Sequence, residues 1–321
     1  MTMHWFNNPI SDSLFIPLAT LFVVMFGIAA FALIIFHVFQ VRLHKNITTK
    51  SASSFERVLW QRYLTWVIIA PLFAGALLSG PLAIAILCAF LCWQGGREYV
   101  LLTGIPTGYR LTLVAGGWIT IAAVWLFGSS MLAFGPIIGF FVWSMLALQP
   151  VKGETEIGKR FVTGIVGLWG YLYLGWLPAF LVALSADNMS GLVFIVGLGV
   201  ALSDVGAFCV GKTLGGPRLA PHLSPNKTWS GVAGNVLGAA LALVIAAFAL
   251  PALPLWQRVL LVLTIGLGSA WGDLLESLLK RQRGVKDAGA LLPGFGGLLD
   301  RIDSLLLVTP LVYYLAQLLW R

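Results

Sequence analysis

An all-α, polytopic transmembrane helical bundle of about ten spans is the fold class that the sequence predicts. Three observations predict it. Of the 321 residues, 59% are hydrophobic and only 10% are charged, against roughly 25% charged in ordinary soluble domains. Apolar stretches recur from residue 12 to the end of the chain. Between them, short basic connections alternate with connections that hold hardly any Lys or Arg. A net charge of +8 distributed in that way marks membrane topology, and no nucleic-acid partner is expected.

A hydrocarbon core about 30 Å thick takes roughly 20 apolar residues per helix. Spans are therefore expected near residues 14–39, 63–79, 81–95, 111–128, 131–149, 161–184, 190–210, 231–250, 256–277 and 303–320. The first follows the acidic Asp12, not a basic leader, and is too long for a signal-peptide core, so it should stay as an anchor. The third, Pro81 to Trp93, is short enough to be re-entrant or tilted. Arg42, Lys45, Lys50, Arg57 and Arg62 fill the first connection, which the positive-inside rule makes cytosolic. Alternation from there puts Arg97 and Arg110, then Lys152, Lys159 and Arg160, then Lys212, Arg218 and Lys227, then Lys280, Arg281, Arg283 and Lys286 on the same side. The connections around Ser79, Gly128, Asp187 and Pro251 add only Arg258, with Arg321 closing the chain. The expectation is a multi-pass integral membrane protein whose site faces the cytosol, in the inner membrane if the host is a bacterium. Cys88, Cys92 and Cys209 lie in apolar runs without disulfide or zinc spacing and read as small hydrophobes. Residues 1–200 read as a scaffold, with Glu98 the acidic residue to watch, and residues 201–321 as a catalytic region with two cytosolic motif loops.

The first loop follows Asp204, which lies inside a predicted span where an ionised carboxylate costs about 2.5–3.5 kcal/mol. Such a group needs a partner or a watery cavity. Downstream, Ser224, Lys227 and Thr228 supply hydroxyls and a cation just ahead of a helix start, chemistry suited to phosphate oxygens. A polar loop with a helix cap at Ser230 explains the same stretch equally well. On the helix ending near residue 281, Asp273, Ser277 and Lys280 stand at i, i+4 and i+7 and share a face, and Glu276 pairs with Lys280 at i+4. Arg281, Lys286 and Asp287 follow, then a Pro293-Gly294-Phe295-Gly296-Gly297 turn, then Asp300-Arg301-Ile302-Asp303. Carboxylates beside cations on a glycine turn fit a Mg²⁺ site that also takes substrate phosphates. Ion pairs sealing helix ends would explain one or two of these residues, but not the whole group drawn into apolar helix termini together.

At these residues the sequence resembles the phosphatidate cytidylyltransferase (CDP-diglyceride synthetase) family. The resemblance rests on Ser277, Lys280-Arg281, Lys286-Asp287, Pro293-Gly294, Gly296-Gly297 and Asp300-Arg301-Ile302-Asp303, with Asp204-Val205-Gly206-Ala207-Phe208 and the Ser224 to Gly231 stretch upstream. It departs at Phe295, where the family usually has His. The resemblance implies CTP-dependent cytidylyl transfer to phosphatidate, giving CDP-diacylglycerol and pyrophosphate at a membrane. It implies catalytic roles for Asp273, Lys280, Arg281, Lys286, Asp287, Asp300, Arg301 and Asp303. Asp273 and Asp300 would ligate Mg²⁺ with Asp303 assisting, and Asp204, Ser224, Lys227, Thr228, Ser277, Gly296 and Gly297 would bind substrate. Three other readings stay open: a CTP-using lipid kinase of the polyprenol or phytol type, a non-catalytic relative, and a transporter. The oligomeric state is open too, a homodimer being one outcome.

Overall fold

A backbone surrounded by hydrocarbon must satisfy its own hydrogen bonds, and these apolar runs do so as helices. The computed structural model describes residues 8–9, 12–43, 50–148, 154–282, 289, 291 and 296–320. The helices are α1 (Phe15–Leu43), α2 (Lys50–Leu78), α3 (Pro81–Thr103), α4 (Gly108–Phe127), α5 (Phe134–Ala147), α6 (Glu154–Tyr171), α7 (Ala179–Ala186), α8 (Ser190–Leu214), α9 (Trp229–Ile245), α10 (Leu255–Gln282) and α11 (Leu299–Leu319). A short antiparallel hairpin, β1 (Arg218–Ala220) and β2 (Ser224–Thr228), joins α8 to α9.

Every expected span coincides with helix. The sixth is interrupted: a π-helical turn at Leu172–Trp176 joins α6 to α7, and together they form one apolar crossing from Ile157 to Ala186. Among the described residues, eight segments are long and apolar enough to cross a membrane, so the count of ten is approximate. The two remaining segments are α9, apolar but only 17 residues long, and α3. The third span is not short: α3 runs 23 residues, opened by Pro81 and closed at a left-handed Gly104 whose N–H reaches the Val100 carbonyl. Its second half carries Gln94, Arg97 and Glu98, which lowers its hydropathy.

Lipid-facing surface is plain on α1, where Val23, Ile28 and Phe31 are exposed; a soluble protein would not leave so much large apolar side chain in water. Packing is densest between α8 and α9 and between α10 and α11. Small residues allow it. A methyl at Gly206 would stand 2.3 Å from the Gly234 carbonyl oxygen, and one at Gly272 would stand 2.6 Å from the Ser304 Cα. Backbone therefore meets backbone where α8 carries Asp204 and where α10 and α11 carry Asp273 and Asp303. From the N-terminal half, α3 touches both α10 and α11.

Candidate functional site

One cavity of about 650 Å³ gathers most of the residues that the sequence singles out. Asp204, Lys227, Thr228, Asp273, Lys280, Asp300, Arg301 and Asp303 all line it, together with Glu276. Its walls come from α8, the hairpin, α9, α10 and α11, so elements far apart in sequence enclose one space.

Three carboxylates form its floor. Asp273, Glu276 and Asp303 each place an oxygen within 4.8 Å of the others. Glu276 is 1% exposed and Asp303 5% exposed. Asp273 and Glu276 meet because i and i+3 share a helix face, and Asp303 is brought to them by the α10–α11 contact at Gly272. Glu276 Oε2 lies 2.6 Å from Lys280 Nζ, whereas Glu276 Oε1 is buried and finds no hydrogen-bond partner among the described residues. Like charges packed this closely repel unless a cation sits among them. Hard oxygen donors with a vacant lone pair fit a divalent cation.

Cations ring the acids. Lys227 Nζ on β2 lies 2.7 Å from Asp273 Oδ2, and Lys280 Nζ bridges Glu276 and Asp300, 3.0 Å from Asp300 Oδ1. The other oxygen of Asp300 accepts the Gly297 N–H at 2.8 Å. Asp300 thus lines the cavity while it opens α11. Asp204 is within electrostatic reach of Asp273, Arg301 and Lys227, which answers the need of a membrane-depth carboxylate for partners.

The hairpin replaces the loop expected after residue 217, and α9 is capped at Thr228, whose Oγ1 accepts the Gly231 N–H at 3.1 Å, in place of Ser230. Ser230 donates instead to the Gly215 carbonyl. Arg281 fastens the hairpin from outside, its Nε donating to the Leu223 carbonyl at 2.9 Å. Ser224, Ser277, Arg281, Gly296 and Gly297 do not line the cavity; Ser277 is buried in α10, and Gly296 turns the chain at φ 88°. Lys286, Asp287 and Phe295 lie outside the described residues.

Glu276 carries more than its expected pairing with Lys280. Its position three residues after Asp273 was the available signal, and the missing half was which residue of α11 would face that pair. Tyr173, on the π-helical turn, had no signal in the sequence. Its hydroxyl is buried, without a hydrogen-bond partner among the described residues, and within electrostatic reach of Asp303, Glu276 and Asp273.

A model of the Cytidylyltransferase family matches residues 60–319. The phosphatidate cytidylyltransferase of Synechocystis sp. is 34% identical over 292 residues, covering 81% of this chain and 97% of that protein. The phosphatidate cytidylyltransferase of Brucella suis is 33% identical over 246 residues, 63% of this chain and 90% of that protein. That of Mycobacterium bovis is 32% identical over 212 residues, 61% and 67% of the two chains.

Proposed function

The chain belongs to the cytidylyltransferase family, and on that premise we propose that it is a phosphatidate cytidylyltransferase, converting CTP and phosphatidate into CDP-diacylglycerol and pyrophosphate for phospholipid synthesis. The observation that carries this reading is the single cavity where three clustered carboxylates meet Lys227, Lys280 and Arg301. Two phosphate-bearing substrates need that combination: acids to hold a metal, and cations to neutralise what charge remains.

In the reaction, an oxygen of the phosphatidate phosphate forms a bond to the α-phosphorus of CTP. The α–β phosphoanhydride bond breaks, and its electron pair leaves with pyrophosphate. The nucleophile is already anionic at pH 7, so no general base and no covalent enzyme intermediate are required. Asp273, Glu276 and Asp303 would hold Mg²⁺, whose chemistry when bound is neutralisation of phosphate charge. This keeps two of the three ligands expected from the sequence and adds Glu276, while Asp300 orients Lys280 and the first turn of α11. Lys227, Lys280 and Arg301 bind phosphate oxygens, Thr228 shapes the hairpin end beside Lys227, and Arg281 holds that hairpin over α10. Lys286 keeps its expected phosphate-binding role, and Asp287 its expected place among the catalytic residues.

The substrates reach the cavity from two directions. By alternation along the chain, the connections rich in Lys and Arg fall on the side that also carries the acids, which supports a cytosolic site open to soluble CTP, at the inner membrane in a bacterial host. Between α10 and α11, Leu260, Leu263, Leu267, Leu311, Leu315 and Leu318 line an open apolar groove. It starts about two turns from Asp273 and suits the acyl chains of a lipid whose phosphate lies at the acids.

Incubation of purified protein with labelled CTP, Mg²⁺ and phosphatidate tests the reading. Pyrophosphate and a lipid with the mass of CDP-diacylglycerol are expected. CDP together with a newly phosphorylated lipid would overturn it in favour of a kinase.

A further inference from the structure

Glu98 belongs to the half of the chain that the sequence reads as scaffold, yet its side chain is spent on the catalytic half. It is 3% exposed, and among the described residues no cation pairs with it. Its Oε1 accepts the Leu298 N–H at 3.0 Å and its Oε2 accepts the Leu299 N–H at 2.8 Å. Gln94, one turn earlier on α3, donates from Nε2 to Oε1 at 2.9 Å and is itself oriented by Arg97.

These bonds take up N–H groups at the opening of α11, where a helix leaves its first donors unpaired and carries partial positive charge. Among the described residues, a buried carboxylate is stabilised there without a Lys or Arg. The next donor back, the Gly297 N–H, goes to Asp300. Two carboxylates, one from α11 itself and one from α3, therefore share a single helix start.

Two glycines that precede α11 complete the arrangement. A methyl at Gly297 would stand 2.6 Å from Glu98 Oε2, and one at Gly289 would stand 3.2 Å from Glu98 Cδ. The close approach that these glycines permit is toward Glu98.

We propose that Glu98 is a positioning residue that sets the rotation and height of α11, and through it the aim of Asp303 into the carboxylate cluster and of Asp300 onto Lys280. The claim rests on the metal-dependent reading above. A glutamine at 98 would present an amide N–H to one of the two backbone donors and would remove the charge that favours the helix start. α11 would then turn or slide, and the cluster would loosen.

The experiment compares Mn²⁺ binding, followed by electron paramagnetic resonance, in wild-type and Glu98→Gln protein in detergent, alongside the Mg²⁺ concentration for half-maximal turnover. Disturbing a residue that orients metal ligands weakens metal affinity by about 10–100-fold. That loss is expected in Mn²⁺ binding and, by the same factor, in Mg²⁺ half-activation, with KM for CTP at saturating metal unchanged. Gly289→Ala, which presses on Glu98 more gently, should shift both in the same direction by less and guards against a poorly folded Glu98→Gln. Asp187→Asn loosens α11 from its opposite end and should leave both where they were. Unchanged Mn²⁺ affinity in Glu98→Gln and Gly289→Ala, an equal shift in Asp187→Asn, or wild-type protein that binds no Mn²⁺ would each overturn the proposal. Weakened Mn²⁺ binding in a protein that makes no CDP-lipid would instead sink the assigned reaction and leave the positioning role standing.

Discussion

The last helix is fastened at both ends by a carboxylate from the N-terminal half, and the two ends differ in what else they hold. At its far end, Asp187 accepts from Gln317 Nε2 at 3.0 Å and from Ser129 Oγ at 3.4 Å. Beside it, Gln257 accepts the Trp320 indole N–H at 3.0 Å. Gln317, Ser129 and Trp320 are neutral donors. At its start, Glu98 accepts backbone N–H groups, but five carboxylates and four cations line the adjoining cavity, and one Glu276 oxygen is left without a donor among the described residues. A fastening needs only satisfied hydrogen bonds. Surplus buried charge costs too much to be kept for rigidity, so the difference separates the end that seals the bundle from the end that binds something.

Substitutions at the two ends should part accordingly. The largest effect is expected from Asp303→Asn, which takes one charge from the buried carboxylate cluster: CTP-dependent pyrophosphate release should fall by about a thousandfold, at the upper end for losing one preorganised electrostatic group, while thermal unfolding in detergent stays cooperative. Lys280→Gln leaves Glu276 and Asp300 facing each other without their shared cation. Turnover should drop about a hundredfold, with a raised KM for CTP in steady-state kinetics. Gly272→Ala drives a methyl into the Ser304 backbone and should cost about 1–3 kcal/mol of stability by overpacking, together with a loss of metal affinity. The same change at Gly75, where nothing lies within 4 Å, should do neither. Smallest is Asp187→Asn, expected to cost about 1 kcal/mol in unfolding with turnover near wild type. If Asp187→Asn proved as damaging to turnover as Asp303→Asn, the contrast between the two ends would fail.

Hydropathy made the helices legible, because a bilayer imposes one length and one composition on whatever crosses it. It misjudged α3 because Gln94 to Glu98 reads as the end of an apolar run. The helix continues to Thr103 with Gln94 and Arg97 bonded within α3 and Glu98 satisfied by N–H groups at the start of α11, a contact between residues about two hundred positions apart. The hairpin was hidden for a related reason: Pro225, Asn226 and Lys227 have loop composition, and what holds them as a strand is partly the grip of Asp273 and Arg281 from α10. Among the residues that line the cavity, Asp273, Lys280, Asp300 and Asp303 stood out by spacing along single helices and Arg301 by the family resemblance. Glu276 as a third cluster acid, and Tyr173 near it, depended on which helix faces which, and no periodicity within one helix carries that.

The 17 residues of α9 have a consequence for the surrounding lipid. At 1.5 Å per residue the helix rises about 26 Å, several ångströms less than the ~30 Å hydrocarbon layer. Lipids beside a short helix accommodate it by local thinning. α9 begins at Trp229, directly after Lys227 and Thr228 on the cavity rim. Thinning of the leaflet beside α9 would lower a headgroup toward the height of that rim without lifting it out of its monolayer.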